Sequence, residues 1–185
     1  MKAFNKILLT VIALIVVIFI AANVVIINDK DDTSGRPYIV EASRVALELE
    51  EKSINDIDLS KYDYIADAVD TVSAKLEIIE RAYKLHIPVI SAMGAGNKTH
   101  PELFEVADIN DTSVCPLARV MRRELKSRGI KKLKVVYSKE EPKKSGVIDP
   151  ESGKTVPGSL SFVPSVMGLI MAGEILNDIV KSIEK

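Results

Sequence analysis

The chain has 185 residues, 47% hydrophobic and 28% charged, with a formal net charge of −1. That length supports one domain with a real core and not two, and a charge this close to neutral identifies no partner. One cysteine excludes an intramolecular disulfide and a cysteine-built zinc cluster, and two histidines are too few for a histidine metal site.

The run from Ile7 to Ile27, "ILLTVIALIVVIFIAANVVII", contains no charged residue. A bilayer core of about 30 Å needs roughly 20 such residues as a helix. The run is longer than the apolar region of a signal peptide, and "IFIAAN" fits a cleavage site poorly. The sequence therefore predicts an apolar N-terminal helix within residues 1–30, a single-pass membrane anchor through residues 7–27, and an α/β domain over 31–185. A buried strand or helix is the alternative for the same run, and it leaves a cytoplasmic protein. Lys2 and Lys6 before the run nearly balance Lys30, Arg36 and Arg44 after it, so charge does not set its orientation.

"NDKDDTSGRP" (28–37) is a polar breaker segment, and "YIVEASRVALELEEKSI" has loose helical periodicity. "YIADAV" (64–69) has the length and apolarity of a buried strand. Val72, Leu76, Ile79 and Tyr83 then recur on one helical face, and Pro88 ends the pattern. "VISAM" (89–93) is a second strand, so residues 64–93 predict a βαβ unit with parallel strands and a right-handed crossover. "ELFEVADI" (102–109) alternates like a strand. "SVCPLARVMRRELKSRG" (113–129) reads as a helix with Ser113 at its N-cap and Gly129 just past its end. "LKVVYS" (133–138) is strand-like, 139–158 reads as a mobile loop, and 163–183 as a largely apolar helix. Glu174 and Asp178 within that last helix argue for packing in the protein and not in lipid.

Three groups of residues carry candidate chemistry. Asp67 and Asp70 stand where the first strand gives way to the helix, and "GAGN" (94–97) follows the second strand. In parallel α/β sheets ligands bind outside the carboxyl ends of strands. A carboxylate there can hold Mg²⁺ against phosphate oxygens, and Gly94 and Gly96 would let backbone N–H groups approach a ligand. The competing reading is that Asp70 or Thr71 caps the helix and that Gly-Ala-Gly is a turn. The third group is basic: Arg119, Arg122, Arg123, Lys126, Arg128, Lys131, Lys132 and Lys134. It suits phosphate neutralisation on a nucleic acid, or a solvated helix face that ends in cations. Cys115 precedes Pro116 with no histidine nearby in sequence, and reads as a small hydrophobe.

"YDYIADAVDTVSAKLEIIERAYKLHIPVISAMGAGNK", "FEVADINDTSVCPLARVMRRELKSRGIKKLKVVYSKE" and "PGSLSFVPSVMGLIMAGEIL", in that order, resemble the tRNA threonylcarbamoyladenosine dehydratase family. This is a branch of the ThiF/HesA/MoeB group of ubiquitin-activating-like adenylyltransferases. The resemblance implies a partial Rossmann-like, ThiF-type α/β sheet with flanking helices, a homodimer, ATP and Mg²⁺ as cofactors, and tRNA as partner. The implied reaction is ATP-driven cyclisation of threonylcarbamoyladenosine. The family's D-x-x-D motif maps to "DAVD" and implies Asp70 as the metal and cofactor residue. Asp31 in "DKD" matches the ribose-binding acid, Gly94 and Gly96 fall in the cofactor edge, and no catalytic residue is assigned. No glycine precedes Gly35, the family's asparagine–arginine segment is not recognisable, and Tyr38 stands where a lysine is expected. An active enzyme implies a domain facing the cytoplasm. The departures imply weak ATP chemistry, with a non-catalytic remnant or a membrane-tethered RNA-binding module as alternatives.

Overall fold

A computed structural model describes residues 57–143, 146, 148, 153 and 155–183, together with the backbone of 24–27. Of residue 183 only the backbone is described. In chain order the strands are β1 (Val24–Ile27), β2 (Tyr64–Asp67), β3 (Val89–Ala92), β4 (Phe104–Asp108) and β5 (Lys134–Ser138). The helices are α1 (Val72–Lys84), α2 (Pro116–Ser127) and α3 (Phe162–Ile183). The sheet order is β1-β2-β3-β5-β4. The central strands β2, β3 and β5 are parallel, and both edge strands are antiparallel to their neighbours.

Alternation along the strands sorts side chains into two layers. Tyr64, Ala66, Ile90, Phe104 and Val136 pack under α3 through Val163, Met167, Met171, Ala172 and Ile175. On the opposite face, Val135 and Tyr137 meet α2 through Ala118, Met121 and Leu125, while Ile65 meets Ile78 and Ala82 of α1. The expected βαβ unit is therefore present as β2-α1-β3, inside three layers.

Three expectations are corrected. Val24–Ile27, the end of the run read as a membrane helix, is an edge strand paired antiparallel with β2, from Val24 opposite Asp67 to Ile27 opposite Tyr64. A short β-branched run satisfies its backbone donors on a sheet edge as well as in a helix, so hydropathy alone does not separate the two. Residues 7–23, and the helical periodicity read from Tyr38 to Ile54, lie outside the described residues. The buried face of α1 is Lys75, Leu76, Ile78, Ile79 and Ala82, so Tyr83 turns outward at 48% exposure. The N-cap of α2 is Cys115 and not Ser113.

Helices α1 and α2 stop in the same way. Ile87 donates its N–H to Ala82 and His86 to Tyr83, and Ile130 donates to Leu125 and Gly129 to Lys126. These are Schellman closures, which need a left-handed residue at the turn. Gly129 fills that place with φ +74 and His86 with φ +58.

Helix α3 is long and apolar enough to cross a membrane by length and composition. Its two acids are nonetheless committed to the sheet. Lys134 of β5 donates to Glu174 at 3.1 Å and to both oxygens of Asp178 at 2.7 Å, and the Tyr64 hydroxyl donates to Asp178 at 2.7 Å. Burial and the Asp178 carboxylate push the Tyr64 hydroxyl far above the usual phenol range.

Candidate functional site

The carboxyl ends of β2, β3 and β5 share one sheet edge. Asp67 is paired in register with Ser91, so Asp70, three residues past Asp67, and Gly94, two past the end of β3, lie at that edge together. Asp67 is not available to a ligand. It is fully buried, its Oδ2 accepts from Ser91 Oγ at 2.5 Å and from Lys75 Nζ at 3.1 Å, and its Oδ1 accepts the Val69 N–H at 3.1 Å.

Asp70 is the opposite case. It is exposed in the bend before α1. Thr71 holds the N-cap position without a side-chain hydrogen bond, so neither residue caps the helix through its side chain. Among the described residues the Asp70 carboxylate has no hydrogen-bond or ion-pair partner. That suits a magnesium ion, which keeps most of its waters and meets a protein through one or two carboxylates. Among the described residues no group of three His, Cys, Asp or Glu side chains could cage a metal.

The glycine turn is occupied by the chain itself. Gly94 has φ +89, a conformation that excludes ordinary side chains. A Cβ on Gly96 would lie 3.2 Å from Pro157 Cβ. Asn97 N–H donates to Gly158 O at 2.8 Å, Gly158 N–H donates to Asn97 Oδ1 at 2.6 Å, and Lys143 N–H donates to Asn97 O at 3.1 Å. Asn97 thus pins both ends of the stretch read as a mobile loop, and the close approach that Gly96 permits is to Pro157. Asp31 lies outside the described residues. At this edge the described residues therefore offer an exposed carboxylate without a partner and a glycine turn whose open side Pro157 fills.

Beside the turn, Lys98 is 4% exposed and its ammonium donates to the Glu140 carbonyl; burial lowers its pKa from the ordinary lysine value. The Glu140 carboxylate accepts from Thr99 N–H, Thr99 Oγ1 and His100 N–H, each at 2.9 Å. Burial alone would raise the Glu140 pKa, but these donors outweigh it and bring it to about 2. Cys115, buried at the start of α2, donates its thiol to Met93 O at 3.2 Å.

The basic cluster divides. Arg122 braces the carbonyls of Asn110 and Thr112. Arg123 pairs with Glu124, and Arg128 with Glu124 and Glu80. Lys134 belongs to the α3 contact, which removes it from the patch. Arg119, Lys126, Lys131 and Lys132 are exposed and unpaired among the described residues. A cavity of about 260 Å³ lined by Tyr64, Ile79, Tyr83, Val89, Leu133 and Lys134 opens at the amino ends of the strands, the opposite edge from Asp70.

The ThiF family pattern matches residues 35–185. The chain belongs to the ThiF family. Several similar proteins share one name. The tRNA threonylcarbamoyladenosine dehydratase of Bacillus subtilis is 42% identical over 133 residues, which is 66% of this chain and 52% of that protein. The tRNA threonylcarbamoyladenosine dehydratase 2 of Saccharomyces cerevisiae is 43% identical over 96 residues, 51% of this chain and 20% of that protein. The Escherichia coli tRNA N6-threonylcarbamoyladenosine dehydratase solved with AMP superposes with a TM-score of 0.58 at 26% identity, covering 67% of this chain and 51% of that one. The chain thus spans about half the length of the Bacillus and Escherichia relatives and less of the yeast one.

Lys75, Asn97 and Glu140 are site-edge residues that sequence reasoning passed over. Only Lys75 left a signal. It lies three residues after Val72 and four before Ile79, on the apolar stripe of α1, where a lysine needs a buried partner.

Proposed function

We propose that this ThiF-family chain acts on threonylcarbamoyladenosine in tRNA by the dehydratase reaction of its relatives, with ATP·Mg²⁺ engaged at the carboxyl edge of β2 and β3. The observation that carries the proposal is Asp70: an exposed carboxylate without a partner among the described residues, at the carboxyl ends of the parallel strands β2 and β3, where sheets of this kind bind ligands. Bound ATP would activate the threonyl carboxylate by placing a phosphate leaving group on one of its oxygens; internal attack would then expel that group, so that the nucleoside ends lighter by one water overall. Asp70 contributes a charge that holds the metal against phosphate oxygens. Arg119, Lys126, Lys131 and Lys132 supply sequence-independent attraction for the tRNA backbone. This reaction places the domain in the cytoplasm, where tRNA and ATP are.

The test is single-turnover incubation of excess protein with threonylcarbamoylated tRNA, ATP and Mg²⁺, with mass analysis of the digested nucleosides. The proposal requires an ATP-dependent loss of one water that falls roughly 100-fold in Asp70→Asn, the scale typical of losing one electrostatic group in a transition state. No conversion above the protein-free blank, or conversion indifferent to Asp70→Asn, overturns it.

A further inference from the structure

The Asp67–Lys75–Ser91 network has no role in the reaction as stated. All three residues are at most 1% exposed, and they join three elements: the end of β2, the first turn of α1 and the middle of β3. Lys75 Nζ lies 3.1 Å from Asp67 Oδ2 and 3.4 Å from Ser91 Oγ. A buried ion pair is a poor stabiliser, since well-packed apolar residues of similar volume are often equal or better. Its effect is geometric. One oxygen of Asp67 is fixed by β3 and α1, and the other by the N–H of Val69. The hydrogen bonds close a ring around residues 67–75, and Asp70 sits inside the ring with its carboxylate in solvent.

We propose that Lys75 is a positioning residue: with Asp67 and Ser91 it locks the β2–α1 turn so that the Asp70 carboxylate meets a divalent cation without reorganising. The proposal rests on the reading of Asp70 as a metal carboxylate. Residues that orient a metal-binding carboxylate typically cost 10–100-fold in metal affinity when removed.

The experiment is an NMR titration of the full chain with Mn²⁺ alone, following paramagnetic broadening of the Val69 and Thr71 amides. Wild type is compared with Asp70→Asn and with the triple variant Asp67→Leu/Lys75→Met/Ser91→Ala. The triple variant replaces the network with apolar side chains, so no buried charge is left unpaired. Folded fraction is matched by urea denaturation. The expected result is broadening in wild type, its loss in Asp70→Asn, and about a 10- to 100-fold weaker Mn²⁺ response in a folded triple variant. A folded triple variant with wild-type Mn²⁺ affinity overturns the positioning role and leaves the metal reading standing. A triple variant that does not fold also overturns it, because the network then serves stability. Absence of Asp70-dependent broadening in wild type overturns both.

Discussion

Replacing Lys134 with Met removes the cation that ties α3 to the sheet. The structure sets the size of the effect: Lys134, Glu174 and Asp178 are each about 30% exposed, between a surface pair and a buried one. Exposed pairs contribute about 0.2–1 kcal/mol, and breaking a buried pair costs about 3–5 kcal/mol. Two carboxylates left facing each other place Lys134→Met at about 2 kcal/mol, or roughly 4–8 °C in melting temperature for a domain of this size. The pH dependence follows from the shifts. Burial works to raise the Asp178 carboxyl, but hydrogen bonds from Lys134 and Tyr64 outweigh it and hold its pKa below the usual aspartate value. Its contribution is therefore present above the unfolded carboxylate pKa of about 3.9 and lost as pH falls through the folded value. Burial works to lower Lys134, but Asp178 and Glu174 raise it. That part is complete below the unfolded lysine pKa of about 10.4 and lost as pH rises through the folded value. Urea denaturation of wild type and Lys134→Met should show a constant stability gap from about pH 5 to 9 that closes in strong acid. A gap of the same size at pH 3, or none at pH 7, would refute the ion-pair account of how α3 docks.

Three further outcomes are expected. His86→Gly should stabilise the chain by about 1 kcal/mol in thermal denaturation, because His86 holds the left-handed closure of α1 that costs an L side chain about 1–2 kcal/mol; a neutral or destabilising result would mean that the His86 side chain carries a contact of its own. Asn97→Ala should cost more than Asn97→Gly by about 1 kcal/mol, since both lose the bond to Gly158 but only Ala strains the φ of +60; equal losses would leave the backbone with no share in the clamp. Glu140→Gln should lower stability at pH 7 and narrow the gap to wild type only as pH falls below the ordinary glutamate range toward about 2; a gap already closed at pH 5, read by urea midpoints, would contradict the depressed carboxyl.

The central unit was legible because its signals are local. The apolar runs of β2 and β3, the stripe of α1 and the Gly129 stop each follow from a few neighbouring residues, and so does the placement of Asp70 and Gly94 at one sheet edge. What was not legible depends on partners distant in sequence. Val24–Ile27 is a strand because Tyr64–Asp67 offers it a pairing edge. Lys134 reads as part of a basic patch until Asp178, 44 residues on, captures it. Gly96 reads as a ligand turn until Pro157 occupies the space beside it. The carboxylates of "DAVD" look alike in sequence; Lys75 and Ser91, supplied by α1 and β3, together with the Val69 N–H, separate the buried Asp67 from Asp70, which has no partner among the described residues.

Equilibrium binding of ATP to wild type and Asp70→Asn, each with and without Mg²⁺, tests most directly whether Asp70 joins metal to nucleotide at this edge. The account predicts that Mg²⁺ strengthens ATP binding to wild type by about tenfold, within the usual range for coupled ligands, and leaves Asp70→Asn unchanged. ATP binding indifferent to Mg²⁺ in wild type, or an equal gain in Asp70→Asn, would contradict it.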